Sequence, residues 1–587
     1  MHNNKNLLIF DISIKLLIVI FSANIISMIA LNAFTLSINA FILIYSTSLL
    51  FSIILVKNYK NDFLPDQSSD FYLTIHDTNN IILFCIILSL LLTIPRWSYL
   101  IESFIKCAIH PVCDDDYWHI QELNSLINTP RYPAQSSFIA TKYLSHYYAP
   151  WLITVFIYKL LHFNIITIKF AFSLVNSIYV ILIINSIIGV AIIICKSKQQ
   201  LYLLIYLLFL HAGIESMGIF WTPWHHHEWW MQHFAGFRLQ ISSFVTLSFW
   251  VIHHLSAAIA LVFAGYIFYG IKGKIGRDLY SGIGIISLLL VYAFYSSLFV
   301  CLGAIPFLLY LLGKDFYQDK KFLLPIVTLS SILCFPILWI YLAKAAKEDQ
   351  VGFIFLSLAP DLKYSYIWKF VSKYYDLQKL NYIILFISCF ILFLLCMIGE
   401  LLAQFVIIIL VIFKKINILR EDVVLLALST IFIISLFFIS FSGGNNYAMR
   451  GAILPIAIFS YIAAKYGSYL KFQRSTWFIL IILFILLSLG SLNEIGMNFS
   501  LAVNSLKPPE HEKPLLRWIY KVNTDRNISR ISQADIPAMV PLDDNVNRYF
   551  YLIEKMIGDK KNLRLEDREI MSDGPVGIWK YQDWLKK

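Results

Sequence analysis

Apolar runs of about twenty residues or more recur along this chain, and that is the length an α-helix needs to cross roughly 30 Å of hydrocarbon. Such runs leave few choices of fold, because backbone N–H and C=O groups in lipid must be satisfied within the segment itself, as they are in a helix. Candidate helices fall near 9–30, 34–56, 80–102, 165–194, 200–220, 241–270, 280–299, 300–312, 323–343, 381–412, 422–441, 452–470 and 476–495. The predicted fold class is an all-α polytopic membrane protein with about 13 transmembrane helices (11–14) and a small extracytoplasmic tail domain. Hydrophobic residues are 59% of the 587 and charged residues 14%, against roughly a quarter charged in ordinary soluble domains. This balance excludes a soluble enzyme, a disordered chain and a nucleic-acid binder.

The stretch 280–312 is too long for one span, and Gly303 and Pro306 offer a break, so a split is predicted between Cys301 and Pro306. Pro150–Phe163 is apolar but short, which predicts a helix lying at the membrane interface. The first apolar stretch, about residues 7 to 56, has no small-residue cleavage motif and predicts two spans, not a signal peptide.

The net charge of +11 is carried mainly by the first 499 residues, so it reports loop orientation. With thirteen helices and an inside N-terminus, Lys57/Lys60, Lys196/Lys198, Lys272/Lys274/Arg277, Lys314/Lys320/Lys321, Lys414/Lys415/Arg420 and Lys465/Lys471/Arg474 all share the cytoplasmic face. The outer face then receives the loops at about 103–164, 221–240, 344–380 and 441–451, and the C-terminal tail from residue 500 to 587. Cys107 and Cys113 lie together in the first outer loop, on the oxidising side, where a small-loop disulfide is an expectation.

Three polar clusters fall on that face. The first is Asp114-Asp115-Asp116-Tyr117-Trp118-His119, with His146 further along the same loop. A carboxylate at a low-dielectric boundary can be tuned toward neutral pKa and act as a base or cation ligand; equally, these acids suit the N-cap of a helix starting near Tyr117. The second is Trp221 to His233, holding His225-His226-His227-Glu228-Trp229-Trp230, with Arg238 beyond it and His253-His254 within the next helix. Consecutive helical histidines point about 100° apart and cannot all chelate one ion, while the tryptophans fit an interfacial belt or a sugar-stacking wall. His253 and His254 are intramembrane ionisable groups, either functional or hydrogen-bonded in the bundle interior. The third is Ser442-Gly443-Gly444-Asn445-Asn446-Tyr447-Ala448-Met449-Arg450, in which Asn446 and Arg450 share a helix face at i, i+4. Arg450 has the geometry to fork onto a phosphate or simply to snorkel to the headgroups.

Together, Asp115-x-x-x-His119, Glu228-Trp229-Trp230, Ser242-Ser243 leading to His253-His254, Tyr295-Ser296-Ser297 leading to Gly303-x-x-Pro306, and Asn445-Asn446-x-x-Met449-Arg450 with Pro455 resemble the bacterial polytopic membrane proteins of the GT-C glycosyltransferase superfamily. The resemblance covers roughly residues 80–470, and the chain has Asp116 where that group usually carries an aromatic and Asn446 where an Asp is usual. It implies a bacterial inner-membrane enzyme that moves a sugar from a polyprenyl-phosphate carrier to a glycan, lipid or protein acceptor on the outer face. Asp115 is then the expected base, with Asp114 and Asp116 as alternatives. Arg450 clamps the donor phosphate with Asn445 and Asn446 beside it, and Arg238 is in reserve. His119, His146, Glu228, Trp229, Trp230, His253 and His254 orient sugar or acceptor. The lipid-phosphate sugar is a substrate, no resident cofactor is expected, and a divalent metal is left open. Two other readings share many of these features: a transporter or flippase of an envelope lipid, and a polymerase or ligase of lipid-linked oligosaccharides.

Overall fold

The computed structural model describes residues 7–59, 73–98, 119, 122–123, 126–127, 132, 134, 148–161, 168–213, 241, 243–272, 274–344, 353–355, 373, 382–441, 446–471 and 474–505. These residues form a helical, multi-pass membrane fold. Among them, nine helices are long and apolar enough to cross a bilayer, or ten if one sharply bent pair counts as a single span. Many of their large apolar side chains face outward, including Leu43, Leu83, Ile431 and Phe478. In water that would be an aggregation surface, and in a bilayer it is the lipid contact.

The N-terminal hairpin of α1 (Leu8–Ala33) and α2 (Phe41–Asn58) is followed by α3 (Ile75–Thr93), which a 3₁₀ turn extends over Ile94–Trp97. Thr74 and Asp77 close a reciprocal capping box at the start of α3, satisfying two of its orphan donors. Next come α4 (Leu152–Leu160), entered through the 3₁₀ turn Ala149–Trp151, then α5 (Ile168–Ile194) and α6 (Lys198–Ile205), which runs into a π-turn at Tyr206–Leu210. An ion pair joins Asp77 to Lys198 and so holds the N-terminal ends of α3 and α6 side by side.

The middle of the chain forms α7 (Phe244–Trp250), α8 (Ile252–Gly270), α9 (Gly276–Ser296) and the 47-residue α10 (Leu298–Lys344). The remainder is α11 (Tyr382–Glu400), α12 (Leu402–Phe413), α13 (Arg420–Phe438), α14 (Asn446–Gly451), α15 (Ile453–Gly467) and α16 (Arg474–Ser505). A short antiparallel ribbon pairs β1 (Phe353–Phe355) with β2 (Ile439–Phe441). α1 is central, packing against α2, α5 and α9, while α8, α9 and α10 pack in sequence beside it. A second apolar cluster gathers Phe393, Phe432, Phe437, Tyr447 and Ala448 from α11, α13 and α14.

Five expected boundaries are corrected. The helix expected at 241–270 breaks at Val251 (φ −141°, ψ 51°). The reason is a tertiary contact: the Arg96 guanidinium donates to the Phe249 carbonyl, occupying the acceptor that the His253 N–H would use in an unbroken ladder. The expected split at Cys301–Pro306 lies at Ser297 instead. The expected loop between 312 and 323 is helical, so secondary structure is unbroken through Pro306, Pro325 and Pro336, but the two arms double back: Ser287 donates to the Ile326 carbonyl at 3.3 Å and Tyr295 to the Cys334 carbonyl at 2.7 Å, which sets 326–334 alongside 287–295 of α9. Lys, Asp and Gln in that stretch are compatible with helix, so their polarity marks a loop poorly. The expected span 381–412 bends by 90° between α11 and α12, and the helix expected at 200–220 ends at Leu210.

Candidate functional site

The segment between α3 and α4 returns to the bundle through hydrogen bonds that bury two of its tyrosines, Tyr132 and Tyr148. Tyr132 donates its backbone N–H to the Leu36 carbonyl at 3.0 Å, its hydroxyl donates to the Leu126 carbonyl at 2.9 Å, and Asn32 on α1 donates to the Tyr148 hydroxyl at 3.1 Å. Burial pushes both phenols above their ordinary pKa range, so they stay neutral hydrogen-bonding groups. Below them, Tyr45 donates to Asn24 Oδ1 at 2.8 Å, Asn24 donates to the Tyr179 hydroxyl at 3.1 Å, and Tyr179 donates to the Pro150 carbonyl at 3.0 Å. This chain of polar side chains crosses α2, α1 and α5 and ends on the turn before α4. Such hydrogen bonds are what fix helices to one another where lipid supplies no hydrophobic drive.

The loop so held carries His119 into the bundle. Its ring lies 4.7 Å from that of Trp151, 4.9 Å from His253 in an edge-to-face contact, and 6.2 Å from Phe172. His253 lies 3.8 Å from His254 and 5.9 Å from Trp151. All three histidines are buried. His119 Nδ1 is 3.2 Å from Glu122 Oε2, the carboxylate–imidazole pairing that fixes a tautomer and ring orientation. With the proton on Nδ1, Nε2 is the acceptor. Among the described residues, His119 Nε2 and Trp151 Nε1 are buried without a hydrogen-bond partner, which gives the cluster one acceptor and one donor for a guest. Arg96, also buried, lies 6.0 Å over the opposite partner of His119, the Phe172 ring, and its own carbonyl accepts from Ser173 at 2.8 Å.

The structure therefore brings together His119, His253 and His254 of the expected residues. Arg450 stands elsewhere, on α14, which packs against α10, β2 and the second apolar cluster. Gly303 is what permits that packing, since a Cβ there would run into the Gly451 carbonyl. Asn446 opens α14, one helical turn from Arg450 as expected. Asp114, Asp115, Asp116, His146, Glu228, Trp229, Trp230, Arg238, Asn445, Cys107, Cys113 and the tail beyond Ser505 lie outside the described residues. Among the described residues no group of three His, Cys, Asp or Glu side chains is arranged to hold a metal ion.

Sequence reasoning missed Arg96, Glu122, Trp151, Glu494 and Glu400. Glu494 on α16 accepts from Trp250 Nε1 at 2.7 Å, and Glu400 is buried at the bend between α11 and α12. The available signal was the same for Arg96, Glu400 and Glu494: an ionisable residue inside an apolar run, a functional candidate by default. Glu122 had a subtler one, standing at i, i+3 from His119, which puts both on one helix face. No protein-family model, curated protein or solved structure matches the chain.

Proposed function

We propose that this protein is an integral-membrane glycosyltransferase that moves a sugar from a polyprenyl-phosphate carrier to an envelope glycan, lipid or protein acceptor on the extracytoplasmic face of a bacterial inner membrane. Its fold is a GT-C-like arrangement of about thirteen spans with the N-terminus inside and the tail outside. One observation carries the reading: His119, three residues after the acidic trio in sequence, packs against His253 and Trp151. Acids that adjoin in sequence a histidine packed on aromatic and imidazole side chains suit a sugar held for displacement. The Asp77–Lys198 pair supports the topology, since both belong to ends assigned inside, as does the β1–β2 ribbon, which joins two segments at loops assigned outside.

In this mechanism the acceptor hydroxyl attacks the anomeric carbon as its bond to the carrier phosphate oxygen breaks, with inversion. Asp115, or a neighbour in the trio, takes the hydroxyl proton, and the electron pair leaves with the polyprenyl phosphate, whose charge Arg450 balances. His119, oriented by Glu122, and Trp151 hold the sugar or acceptor. The test is sugar release by purified protein in nanodiscs offered a panel of polyprenyl-phosphate sugars. Turnover supports the reading, and a requirement for lipid-diphosphate oligosaccharides turns it toward a polymerase or ligase.

A transporter or flippase is the second reading, favoured by the 90° break between α11 and α12 with a buried Glu400 at its corner, a feature common at transport sites. Protein-dependent movement of labelled lipid across a vesicle bilayer, with no sugar release, decides for it.

A further inference from the structure

Three turns meet at the end of the bundle that the lysine pattern assigns to the cytoplasm: 195–197 before α6, 414–419 between α12 and α13, and 468–471 after α15. A buried ion pair ties two of them together. Lys465 donates to Asp422 Oδ2 at 2.6 Å, the Tyr466 hydroxyl donates to the same oxygen at 2.6 Å, and that hydroxyl accepts the Leu419 N–H at 2.8 Å. The third turn joins through α15. A Cβ on Gly467 would strike Leu203 of α6 and Ile407 of α12, and Tyr461 lies within electrostatic reach of both Cys195 and Asp422.

The acids that could neutralise this end are already paired, Asp422 with Lys465 and Asp77 with Lys198, while Glu421 directly follows Arg420. Lys196, Lys414, Lys415 and Lys471 are exposed and have no ion-pair partner among the described residues. Lys415 carries a further sign. It closes α12 in a left-handed conformation (φ +52°), its N–H donating to the Ile412 carbonyl and that of Ile416 to the Val411 carbonyl. Glycine takes such a position after a helix without strain, so a positive charge is kept here against the preference of the backbone. Phe413 and Tyr469, 77% and 57% exposed, set ring surface beside the lysines. Cations with aromatic neighbours at a helix end sit at headgroup level, where clustered lysines attract acidic lipid.

We propose that this end of the bundle is a binding site for an acidic phospholipid of the surrounding bilayer, its headgroup phosphate held by Lys414 and Lys415 with Lys196 and Lys471 on the neighbouring turns. The site is separate from the His119 cluster, and it stands whether the protein transfers sugar or moves lipid.

The test is native mass spectrometry of the purified full-length protein titrated with cardiolipin, phosphatidylglycerol or phosphatidylcholine, together with its thermal unfolding midpoint in each lipid. The expected result is saturable retention of the acidic lipids with a raised midpoint, and neither effect from phosphatidylcholine. Replacing Lys196, Lys414, Lys415 and Lys471 together by Gln weakens acidic-lipid binding tenfold or more, whereas Gln at Lys57, Lys274, Arg277 and Lys321, an equal loss of charge, leaves it within twofold. Lys415→Gly alone weakens binding about fivefold, one lysine's share, and leaves the midpoint in phosphatidylcholine equal or higher because the turn is relieved. The proposal is overturned if acidic lipid and phosphatidylcholine are retained alike, if the two fourfold variants lose affinity equally, or if Lys415→Gly binds as wild type does. Displacement of the lipid by inorganic phosphate also overturns it, marking a site for a soluble anion. Should the fourfold variant fail to fold, Lys415→Gly decides.

Discussion

His119 and His253 meet edge to face with ring centroids 4.9 Å apart, one from the segment between α3 and α4 and the other from the long apolar helix α8. The contact fixes where the loop sits, because His253 occupies the first turn of α8 just past the break that Arg96 maintains at Phe249. Loop position and helix break are thus one structural unit. Disturbing either member should move both.

Trp151 is the side chain on which that unit packs, being 1% exposed and in ring contact with His119, His253 and Phe172. Trp151→Ala should cost about 3–5 kcal/mol, the range for removing a large buried aromatic. A thermal or denaturant midpoint in detergent checks it. A stability within experimental error of wild type would mean that the loop does not depend on this cluster.

Asp115 precedes His119 by one helical turn's worth of sequence. Asp115→Asn keeps the shape and removes the base, so turnover should fall about 10²-fold or more with the protein still inserted. If Asp114→Asn or Asp116→Asn is the damaging change instead, the base lies elsewhere in the trio. Full activity in all three variants would discard a carboxylate base in this loop.

The membrane-spanning character was legible because lipid imposes one requirement, apolar length, on every residue of a span. The breaks were not. Val251 and Leu401 are ordinary apolar residues, and what breaks the helices there comes from distant chain: the Arg96 guanidinium on the Phe249 carbonyl, and His211 on the Ala403 N–H. Conversely, Gly303 and Pro306 looked like a break and are helical, because Gly303 serves the close approach of Gly451. At the site, His119 was visible as the end of a polar loop cluster and His253 as an ionisable residue in an apolar run, but their meeting depends on the Tyr132, Tyr148 and Tyr179 tethers, which no local pattern announces.

Orientation follows from the lysine pattern and is open to direct measurement. Single cysteines or reporter fusions near residues 130, 228, 445 and 540 should report the extracytoplasmic side, and those near 274 and 417 the cytoplasm. A cytoplasmic 445 would separate Arg450 from the acidic loop and end the single-site mechanism.

Gly303→Ala tests the contact between α10 and α14. The added methyl has to displace the Gly451 carbonyl, a backbone group that cannot swing aside, so the two helices must part. A loss of roughly 1–3 kcal/mol is expected for overpacking of this kind, read as a lower unfolding midpoint. Donor affinity should fall with it, because Arg450 adjoins Gly451. Leu302→Ala, one residue away, lacks the added methyl and should leave the backbone contact intact.

Arg450 separates the proposed chemistry from simple anchoring. Its side chain is half-buried on α14, between Tyr447, whose hydroxyl lies 3.3 Å from Ser435 Oγ, and the Gly451 contact with α10. A guanidinium that grips the donor phosphate presents a planar fork of two donors, which the point charge of Lys does not reproduce. Arg450→Lys should therefore fail to restore function, with donor affinity weakened and acceptor affinity unchanged, whereas a side chain that only reaches for headgroups would accept Lys. Binding of a radiolabelled polyprenyl-phosphate sugar to wild type, Arg450→Lys and Arg450→Ala makes the comparison. Equal binding by all three returns Arg450 to an anchoring role and moves the phosphate contact to another cation, Arg238 first.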